Sequence, residues 1–300
     1  MSRGSISRRT FATIAGTALA SGLLPRRLAA LDRSPHATAA PPRLIVRGDD
    51  MGFAHAGNEA IIASYVNGIE SAIEVLAPSP WFPEAAQMLA AHPGIDVGVH
   101  LTLTSEWDNL KWRPLSTGPS LRDSDGFFFP MAFPNLRYPG RSVTEKPPRL
   151  EEIEQEFRAQ IELVKKHVPR VSHLSGHMGC TGVRADVKAM TKRLAMEYAL
   201  DIAPEDHGVV SARYVGAHET SAEKIESFLR MLDGLENGKT YLFVDHPGLD
   251  RPELRAIHHL GYENVAADRQ GVTDTFTSPR VRDRLTRRRI QLIGYRDLKR

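Results

Sequence analysis

The sequence predicts a single-domain α/β protein with a mostly parallel sheet, and three observations support this prediction. Short apolar runs alternate with stretches of helical periodicity after residue 41. The 300 residues, 41% hydrophobic and 25% charged, suffice for one large α/β domain or two smaller ones. No clear domain boundary follows residue 41, so we expect a single domain over residues 40–300. The predicted strands are RLIV, SAIEVLAP, DVGVHLTL, RVSHLS and TYLFVD, in chain order.

Residues 1–39 predict an export signal that is removed. Arg8 and Arg9 precede an uncharged run, FATIAGTALASGLL, that is too short for a stable membrane anchor. The arginine pair resembles the twin-arginine type of signal, and small residues permit cleavage after Ala39 or near Ala30. We therefore expect a periplasmic or extracellular protein without a stable membrane anchor. The alternative is a basic tail with a chance arginine pair.

Most of the positive charge belongs to this segment. Residues 1–40 carry six arginines and one aspartate of the chain's 39 basic and 36 acidic residues, so the rest has a net charge of −2. The sequence pI of about 9.0 is therefore no sign of nucleic-acid binding. Cys180 is the only cysteine, which excludes an intrachain disulfide, and with no base motif beside it we interpret it as a packing residue.

The first predicted strand ends in two adjacent carboxylates, Asp49 and Asp50. Adjacent like charges at the end of a buried strand are costly unless a cation or hydrogen-bond donors meet them. Taken alone, such a pair is often a helix or turn cap. The pair therefore predicts that a cation or hydrogen-bond donors compensate the two charges.

Two later strand candidates carry histidines. His100 lies in VGVHLTLT, and His173 and His177 lie in SHLSGHMG. The carboxyl ends of strands in a β/α barrel converge on one face, where one aspartate and two histidines can form an open metal site. A lone strand histidine is more often a core residue, and for His173 a buried structural role is equally open. His246, in LFVDHPG, follows a further apolar run and is another candidate.

A long loop and one helix complete the prediction. Residues 115–148 are rich in Pro, Gly and aromatic residues without periodicity, which predicts a long inserted loop near the site. The segment EEIEQEFRAQIELVKKH places apolar side chains on one stripe and predicts a helix that packs on the sheet. That stripe consists of Ile153, Phe157, Ile161 and Val164. The tryptophans are candidates for a sugar cleft, with core packing equally open for the first; they are Trp81, Trp107 and Trp112.

Four motifs together resemble a known family. LIVRGDDMG, GIDVGVHLTLT, SHLSGHMG and DHPG occur in the order and approximate spacing of the YdjC-like carbohydrate deacetylases, which include the chitooligosaccharide deacetylases. The resemblance runs from about Arg43 to the closing TSPRVRDRLTRRRIQLIGYRDL. It implies an irregular (β/α) barrel, a divalent metal held by one aspartate and two histidines, and hydrolysis of an N-acetyl group on a sugar.

The resemblance also implies roles for individual residues. Asp50, His100 and His177 match the metal ligands. Asp49 matches the catalytic base, and His246 matches a catalytic or substrate-facing histidine. The ligand types favour Zn²⁺, although Mg²⁺ or another divalent ion can substitute.

Three positions depart from the family pattern. Many relatives have Asp where this chain has Ser175 and a further His where it has Gly179, and many have Ala in place of Gly48. The absent aspartate can remove an orienting partner from a ligand histidine. Substrate identity is the prediction that these departures weaken most.

The predicted function is that of an exported, metal-dependent hydrolase that removes an N-acetyl group from a sugar or oligosaccharide. Asp49 would take a proton from attacking water, and His246 would donate one to the leaving amine. Alternatives are a metal-dependent esterase or phosphoesterase and a sugar-binding protein without catalysis. A phosphoesterase usually needs further cationic groups, and a pure binder needs no free base beside its ligands. The sequence leaves a homodimer open.

Overall fold

A single parallel sheet organises residues 39–299, the part of the chain that the computed structural model describes. The predicted signal segment up to residue 38 lies outside the described residues. The strands are β1 (Arg43–Met51), β2 (Ala72–Val75), β3 (Asp96–Leu101), β4 (His173–Gly176), β5 (Val210–Ala212), β6 (Thr240–Asp245) and β7 (Gln291–Leu292).

The strand order is β4-β3-β2-β1-β6-β5, with β7 beside the beginning of β1, and every pairing is parallel. Within the described residues, β4 and β5 form the two edges, so the curled sheet is an incomplete barrel. The predicted fold class, an α/β protein with an irregular (β/α) barrel, is confirmed. Since all strands run in the same direction, their carboxyl ends lie at one rim.

The helices surround this sheet. They are α1 (His55–Val66), α2 (Phe82–Ala91), α3 (Leu150–His167), α4 (Ala185–Glu197), α5 (Ser221–Gly234), α6 (Pro252–Arg255), α7 (Val265–Thr277) and α8 (Pro279–Arg288). Short 3₁₀ segments cover Pro119–Leu121, His177–Gly182, Pro204–His207 and Tyr295–Lys299. No helix within residues 39–299 has both the length and the apolar content needed to cross a bilayer.

The apolar core lies mainly between the sheet and the helices. One cluster packs β2 and β3 against α1 to α4, and a second packs β1 and β6 against α5, α7 and α8. The predicted stripe of α3 is buried in the first cluster. A small third cluster includes Ile45, Ile202 and Tyr295. Ile45 alternates along β1 with Leu44 and Val46 of the second cluster, so this third cluster lies against the opposite face of the sheet.

All five predicted strands are present, whereas β5 and β7 were missed. With three and two residues, these strands are too short to show a periodic pattern, and four of their five residues are exposed.

The segment over residues 115–148 is a long loop, as predicted, with a single 3₁₀ turn. Polar side chains of α3 hold its beginning in place. The backbone N–H groups of Leu115 and Ser116 donate to the Glu156 carboxylate at 3.1 and 2.8 Å. Gln160 exchanges two hydrogen bonds with the backbone of Thr102, at 2.9 and 2.8 Å. The helix therefore positions the chain between β3 and the loop, next to the carboxyl ends of the strands.

Candidate active site

The end of β1 directs two adjacent carboxylates to the same place. Successive side chains of a regular strand point to opposite faces. Here the register of β1 against β2 shifts between Gly48 and Met51, and Asp50 has a φ of 69°. As a result, Asp49 Oδ2 and Asp50 Oδ1 lie 3.7 and 3.6 Å from the same atom, His100 Nε2. A left-handed conformation at a residue other than glycine costs about 1 kcal/mol or more, and such strain often marks a functional position.

Asp50, His100 and His177 form a buried cluster suited to a metal ion. They come from the ends of β1, β3 and the segment after β4, and one ligand atom from each lies within 4.8 Å of the others. Asp50 Oδ1 is 3.0 Å from His177 Nδ1 and 3.6 Å from His100 Nε2. Ligand atoms about 2.0–2.2 Å from a tetrahedral zinc ion lie about 3.3–3.6 Å apart. The donor set and its spacing therefore fit a divalent cation.

The two oxygens of Asp50 have different surroundings. Oδ2 accepts a hydrogen bond from Arg269 Nη2 at 3.0 Å, whereas the buried Oδ1 accepts none of good geometry from any residue within 39–299. Burial alone would raise the pKa of Asp50, but the charges of His177, His246 and Arg269 hold this pKa well below its usual value. Asp50 is thus an anion with one oxygen held by Arg269 and one directed at the histidines.

Arg269 itself is enclosed. Its guanidinium lies 4.5 Å from the ring centroid of Phe53 and 5.2 Å from that of Trp107. Cation–π contacts of this kind are strongest where the cation is removed from water. Arg269 is therefore a fixed partner of Asp50.

Each histidine of the cluster has a polar partner on its far ring nitrogen. His177 Nε2 lies 3.0 Å from Glu106 Oε2, and His100 Nδ1 lies 2.6 Å from Ser175 Oγ. Burial opposes protonation of His177, yet Glu106 and Asp50 raise the pKa of His177 well above its ordinary value. The pKa of His100 is lowered by burial, which outweighs the neighbouring carboxylates. Partners on the far nitrogen fix the ring orientation of metal-binding histidines.

Asp49 is held by an arginine two residues earlier on the same strand. Arg47 Nε and Nη2 donate to Asp49 Oδ1 and Oδ2 at 2.7 and 2.9 Å, a bidentate pair. Arg47 Nη1 also donates to the Tyr295 hydroxyl at 2.8 Å and lies 3.7 Å from Glu74 Oε1. Asp49 is therefore buried beside the cluster with a fixed orientation.

Glu74 is a further buried carboxylate next to the site. Burial alone would raise the pKa of Glu74, but the charges of His173 and Arg47 and the hydrogen bond to His173 lower it to about 2. His173 Nε2 lies 2.5 Å from Glu74 Oε1, and its ring stacks on Tyr295 at a centroid distance of 3.5 Å. His173 is thus fully buried, and its partners Glu74 and Tyr295 lie outside the Asp50 cluster.

His246 lies directly after β6, on the open side of the site. Its Nε2 atom is 3.8 Å from Asp50 Oδ2, and its Nδ1 atom is 3.6 Å from Asp245 Oδ1. The side chain is 39% exposed, unlike those of the cluster residues. Partial burial opposes protonation, but the Asp50 and Asp245 carboxylates raise the pKa of His246 above its ordinary value. His246 can therefore carry a proton at the edge of the site.

The structure shows why glycine is accommodated at Gly48 and Gly179, two of the positions that depart from the family pattern. A Cβ atom on Gly48 would collide with the buried Glu70 carboxyl group, so the side chain of Glu70 occupies the space that an alanine would need. Burial, followed by the charge of Asp49, raises the pKa of Glu70 well above its usual range, which favours a neutral acid. Gly179 has a φ of 71°, a conformation that favours glycine over histidine.

The predicted sugar-cleft tryptophans divide into two kinds. Trp107 and Trp112 are buried, so the prediction that they line an open cleft is not supported. Trp81 is 38% exposed beside His55, with ring centroids 5.3 Å apart. Closer to His177, Met178 and Phe133 are the exposed apolar side chains. Cys180 is fully buried with a pKa raised to about 12 by burial, in agreement with a packing role.

A cavity of about 880 Å³ lies at the carboxyl ends of β5 and β6. It is lined by polar and aromatic side chains that include Tyr214, His218, Asp245 and Tyr262. The rings of Tyr214 and His218 are stacked 5.0 Å apart, and the Tyr214 hydroxyl donates to Asp245 Oδ2 at 2.9 Å. Because Asp245 immediately precedes His246, this cavity borders the site.

Sequence reasoning missed several residues that contact the predicted ones. They are Arg47, Glu74, Glu106 and Arg269. Arg47 lies in the first motif, and its spacing of two from Asp49 was an available signal because alternate strand residues share a face. The other three are far from their partners in sequence and belong to no motif, so no spacing indicated them.

Comparisons with known proteins place the chain among relatives over nearly all of its described length. The model of a family described as YdjC-like protein matches residues 43–287. Carbohydrate deacetylase 2 from Listeria innocua is 28% identical over 273 residues, covering 85% of this chain and 98% of the relative. A carbohydrate deacetylase from Thermus thermophilus is 32% identical over 235 residues, covering 71% of this chain and 80% of the relative.

A solved structure supports the fold. The crystal structure from Enterococcus faecalis of a protein described as a cellobiose-phosphate cleavage protein superposes with a TM-score of 0.67 at 23% identity. The match covers 87% of this chain and 99% of that chain.

Proposed function

This chain belongs to the YdjC-like protein family, and we propose that it is a metal-dependent hydrolase that removes an N-acetyl group from a sugar or oligosaccharide. The observation that carries the proposal is the buried cluster of Asp50, His100 and His177 with Asp49 beside it. The names of the relatives, carbohydrate deacetylases, support the same reaction class.

The proposed metal ligands are Asp50 Oδ1, His100 Nε2 and His177 Nδ1. Two imidazoles and one carboxylate favour Zn²⁺, and Mg²⁺ or another divalent ion is the alternative. When bound, such a cation would act as a Lewis acid toward the acetyl carbonyl and make a water molecule more acidic. Asp50 Oδ1, buried without a well-formed hydrogen bond, is the strongest support for a cation at this point.

Asp49 is the proposed general base. It lies next to Asp50 in the chain and 3.7 Å from His100 Nε2, yet Arg47 already binds both of its oxygens. The bidentate pair holds the carboxylate in one orientation and leaves the remaining lone pairs of its oxygens to accept a proton from attacking water.

His246 is the proposed general acid. Amide hydrolysis requires a proton on the departing nitrogen, and His246 sits at the exposed edge of the site with a pKa raised by Asp50 and Asp245. A protonated imidazole in this position can donate to the leaving amine of the sugar.

The substrate would extend from His246 into the neighbouring cavity of about 880 Å³. Its polar groups suit sugar hydroxyls, and the stacked rings of Tyr214 and His218 suit an apolar sugar face. Met178 and Phe133 offer exposed apolar surface near His177. This arrangement supports an acetylated sugar or short oligosaccharide as the substrate class.

The decisive experiment measures acetate release from a panel of N-acetylated mono- and oligosaccharides, before and after metal removal with a chelator. We expect release that is lost with the chelator and restored by Zn²⁺. Parallel assays with p-nitrophenyl acetate and p-nitrophenyl phosphate distinguish an esterase and a phosphoesterase. Phosphate release without acetate release from any sugar would refute the proposal.

A second measurement tests the ligand assignment. Asp50→Ala, His100→Ala and His177→Ala should each lower bound metal and acetate release together. Full metal occupancy in His100→Ala would show that His100 is not a ligand.

Export is also part of the proposal. The arginine pair and the small-residue cleavage site within residues 1–39 support a twin-arginine type of signal and a periplasmic or extracellular location.

A further inference from the structure

Ser175 lies between a proposed metal ligand and a buried carboxylate. Its Oγ atom is 2.6 Å from His100 Nδ1 and 2.6 Å from Glu74 Oε2. The register of the sheet produces this contact, since β3 pairs with β4 so that His100 is opposite Ser175, and β2 pairs with β3 on the other side. His100 and Glu74 are buried, with Glu74 fully enclosed.

The contacts among Glu74, Ser175 and His100 permit only one arrangement of hydrogen-bond donors and acceptors. A serine hydroxyl has a single proton and two lone pairs, and an ionised carboxylate only accepts hydrogen bonds. The Ser175 hydroxyl must therefore donate to Glu74. Its oxygen is then an acceptor toward His100, so Nδ1 of His100 carries the ring proton. The lone pair of the neutral ring is left on Nε2, the atom that faces Asp50.

Glu74 is held in place independently of Ser175. Its Oε1 atom lies 2.5 Å from His173 Nε2 and 3.7 Å from Arg47 Nη1. His173 is in turn stacked on Tyr295, with an interplanar angle of 7°. Because Oε1 faces His173 and Arg47, Oε2 is left to receive the Ser175 hydroxyl, and full burial keeps water from competing for it.

We propose that Glu74, acting through Ser175, is a positioning residue that holds His100 in the tautomer with a free Nε2 lone pair. This inference rests on the proposed metal role of His100. Glu74 and Ser175 together replace a carboxylate that would be hydrogen-bonded directly to the ligand histidine. The Ser175 hydroxyl, on β4, connects Glu74 on β2 to His100 on β3. The departure at Ser175 then leaves the orientation of the ligand intact.

The test compares Ser175→Ala with Ser175→Thr in the full chain. Alanine removes the hydroxyl, whereas threonine keeps it, and a cavity of about 400 Å³ beside Ser175 leaves room for the added methyl group. We expect Ser175→Ala to weaken Zn²⁺ binding by about 10- to 100-fold in calorimetric titrations, the usual effect of losing such a partner. Ser175→Thr should retain a Zn²⁺ affinity within about threefold of the wild-type value.

The tautomer is measured separately in the metal-free protein by imidazole ¹⁵N NMR, with the His100 signals assigned by His100→Gln. Wild-type His100 should be protonated on Nδ1, and Ser175→Ala should shift the population toward the Nε2-protonated form. A purely structural role for Ser175 would change thermal stability without changing this ratio. A wild-type His100 protonated on Nε2 would overturn the inference.

Ser227→Ala is the matched control. Ser227 is a buried serine on α5 whose hydroxyl donates to the carbonyl of Ala217, away from the Asp50 cluster. It should change neither Zn²⁺ affinity nor the His100 spectrum. A loss of affinity in Ser227→Ala equal to that in Ser175→Ala would refute a specific role.

A double-mutant cycle links Ser175 to Glu74. If the two act in series, Ser175→Ala combined with Glu74→Gln should weaken Zn²⁺ binding no more than the stronger single variant. Additive losses would overturn the series arrangement. If His100→Ala leaves Zn²⁺ affinity unchanged, the ligand assignment fails, and the tautomer measurement still decides the inference.

Discussion

Asp49→Asn is the substitution that separates a catalytic base from a structural ion-pair partner. The change preserves the shape of the side chain and removes its charge. In the structure Asp49 is bound by Arg47 at 2.7 and 2.9 Å and is not part of the three-residue ligand cluster. We therefore expect Asp49→Asn to bind metal normally and to lose most of its kcat.

The structure sets the size of the effects of Asp49→Asn on stability and on kcat. An asparagine can accept from only one of the two Arg47 donors, so one charge-assisted hydrogen bond is lost, at a cost of about 1.5–3 kcal/mol in unfolding free energy. Tyr295 and Glu74 still partner Arg47. Loss of a positioned base lowers kcat by about 10²- to 10⁴-fold, equivalent to about 2.7–5.5 kcal/mol in activation free energy. The catalytic effect should exceed what a modest loss of stability can produce.

The assay measures acetate release at saturating substrate, together with bound metal and the midpoint of thermal unfolding. Arg47→Lys is the matched variant, because it weakens the same ion pair from the other side while retaining the Asp49 carboxylate. We expect the two variants to lose comparable stability, with a much greater loss of kcat in Asp49→Asn.

Equal losses of kcat in the two variants would refute the reasoning. Asp49 would then matter only through its pairing with Arg47. Retention of kcat within tenfold in Asp49→Asn would also exclude it as the base.

The remaining predictions concern His246, Cys180 and the signal. His246→Ala should slow the hydrolysis of amides more than that of activated esters, because a good leaving group needs no proton; equal losses would indicate substrate positioning or oxyanion stabilisation instead. Since burial raises the pKa of Cys180 to about 12, the thiolate is scarce at pH 8, so thiol reagents should label it only after unfolding, as mass spectrometry would detect. Arg8→Lys combined with Arg9→Lys should retain the protein in the cytoplasm, and unchanged export in cell fractionation would contradict a twin-arginine signal.

Much of the fold and of the site follows from local patterns. The five apolar runs became strands because each is a short apolar segment within an α/β alternation. Asp50, His100 and His177 lie together because parallel strands bring their carboxyl ends to one rim, which holds for any chain of this class. The sequence by itself therefore determined which residues could meet.

The tertiary structure decided how these residues meet and what surrounds them. The register shift and the positive φ of Asp50 direct both aspartates inward, whereas strand periodicity alone places them on opposite faces. Glu106, Arg269 and Glu74 reach the site from separate elements, 71, 219 and 101 residues from the side chains that they contact. Contacts of this kind depend on strand register and helix packing across the whole chain, and residue spacing within a motif carries no information about them.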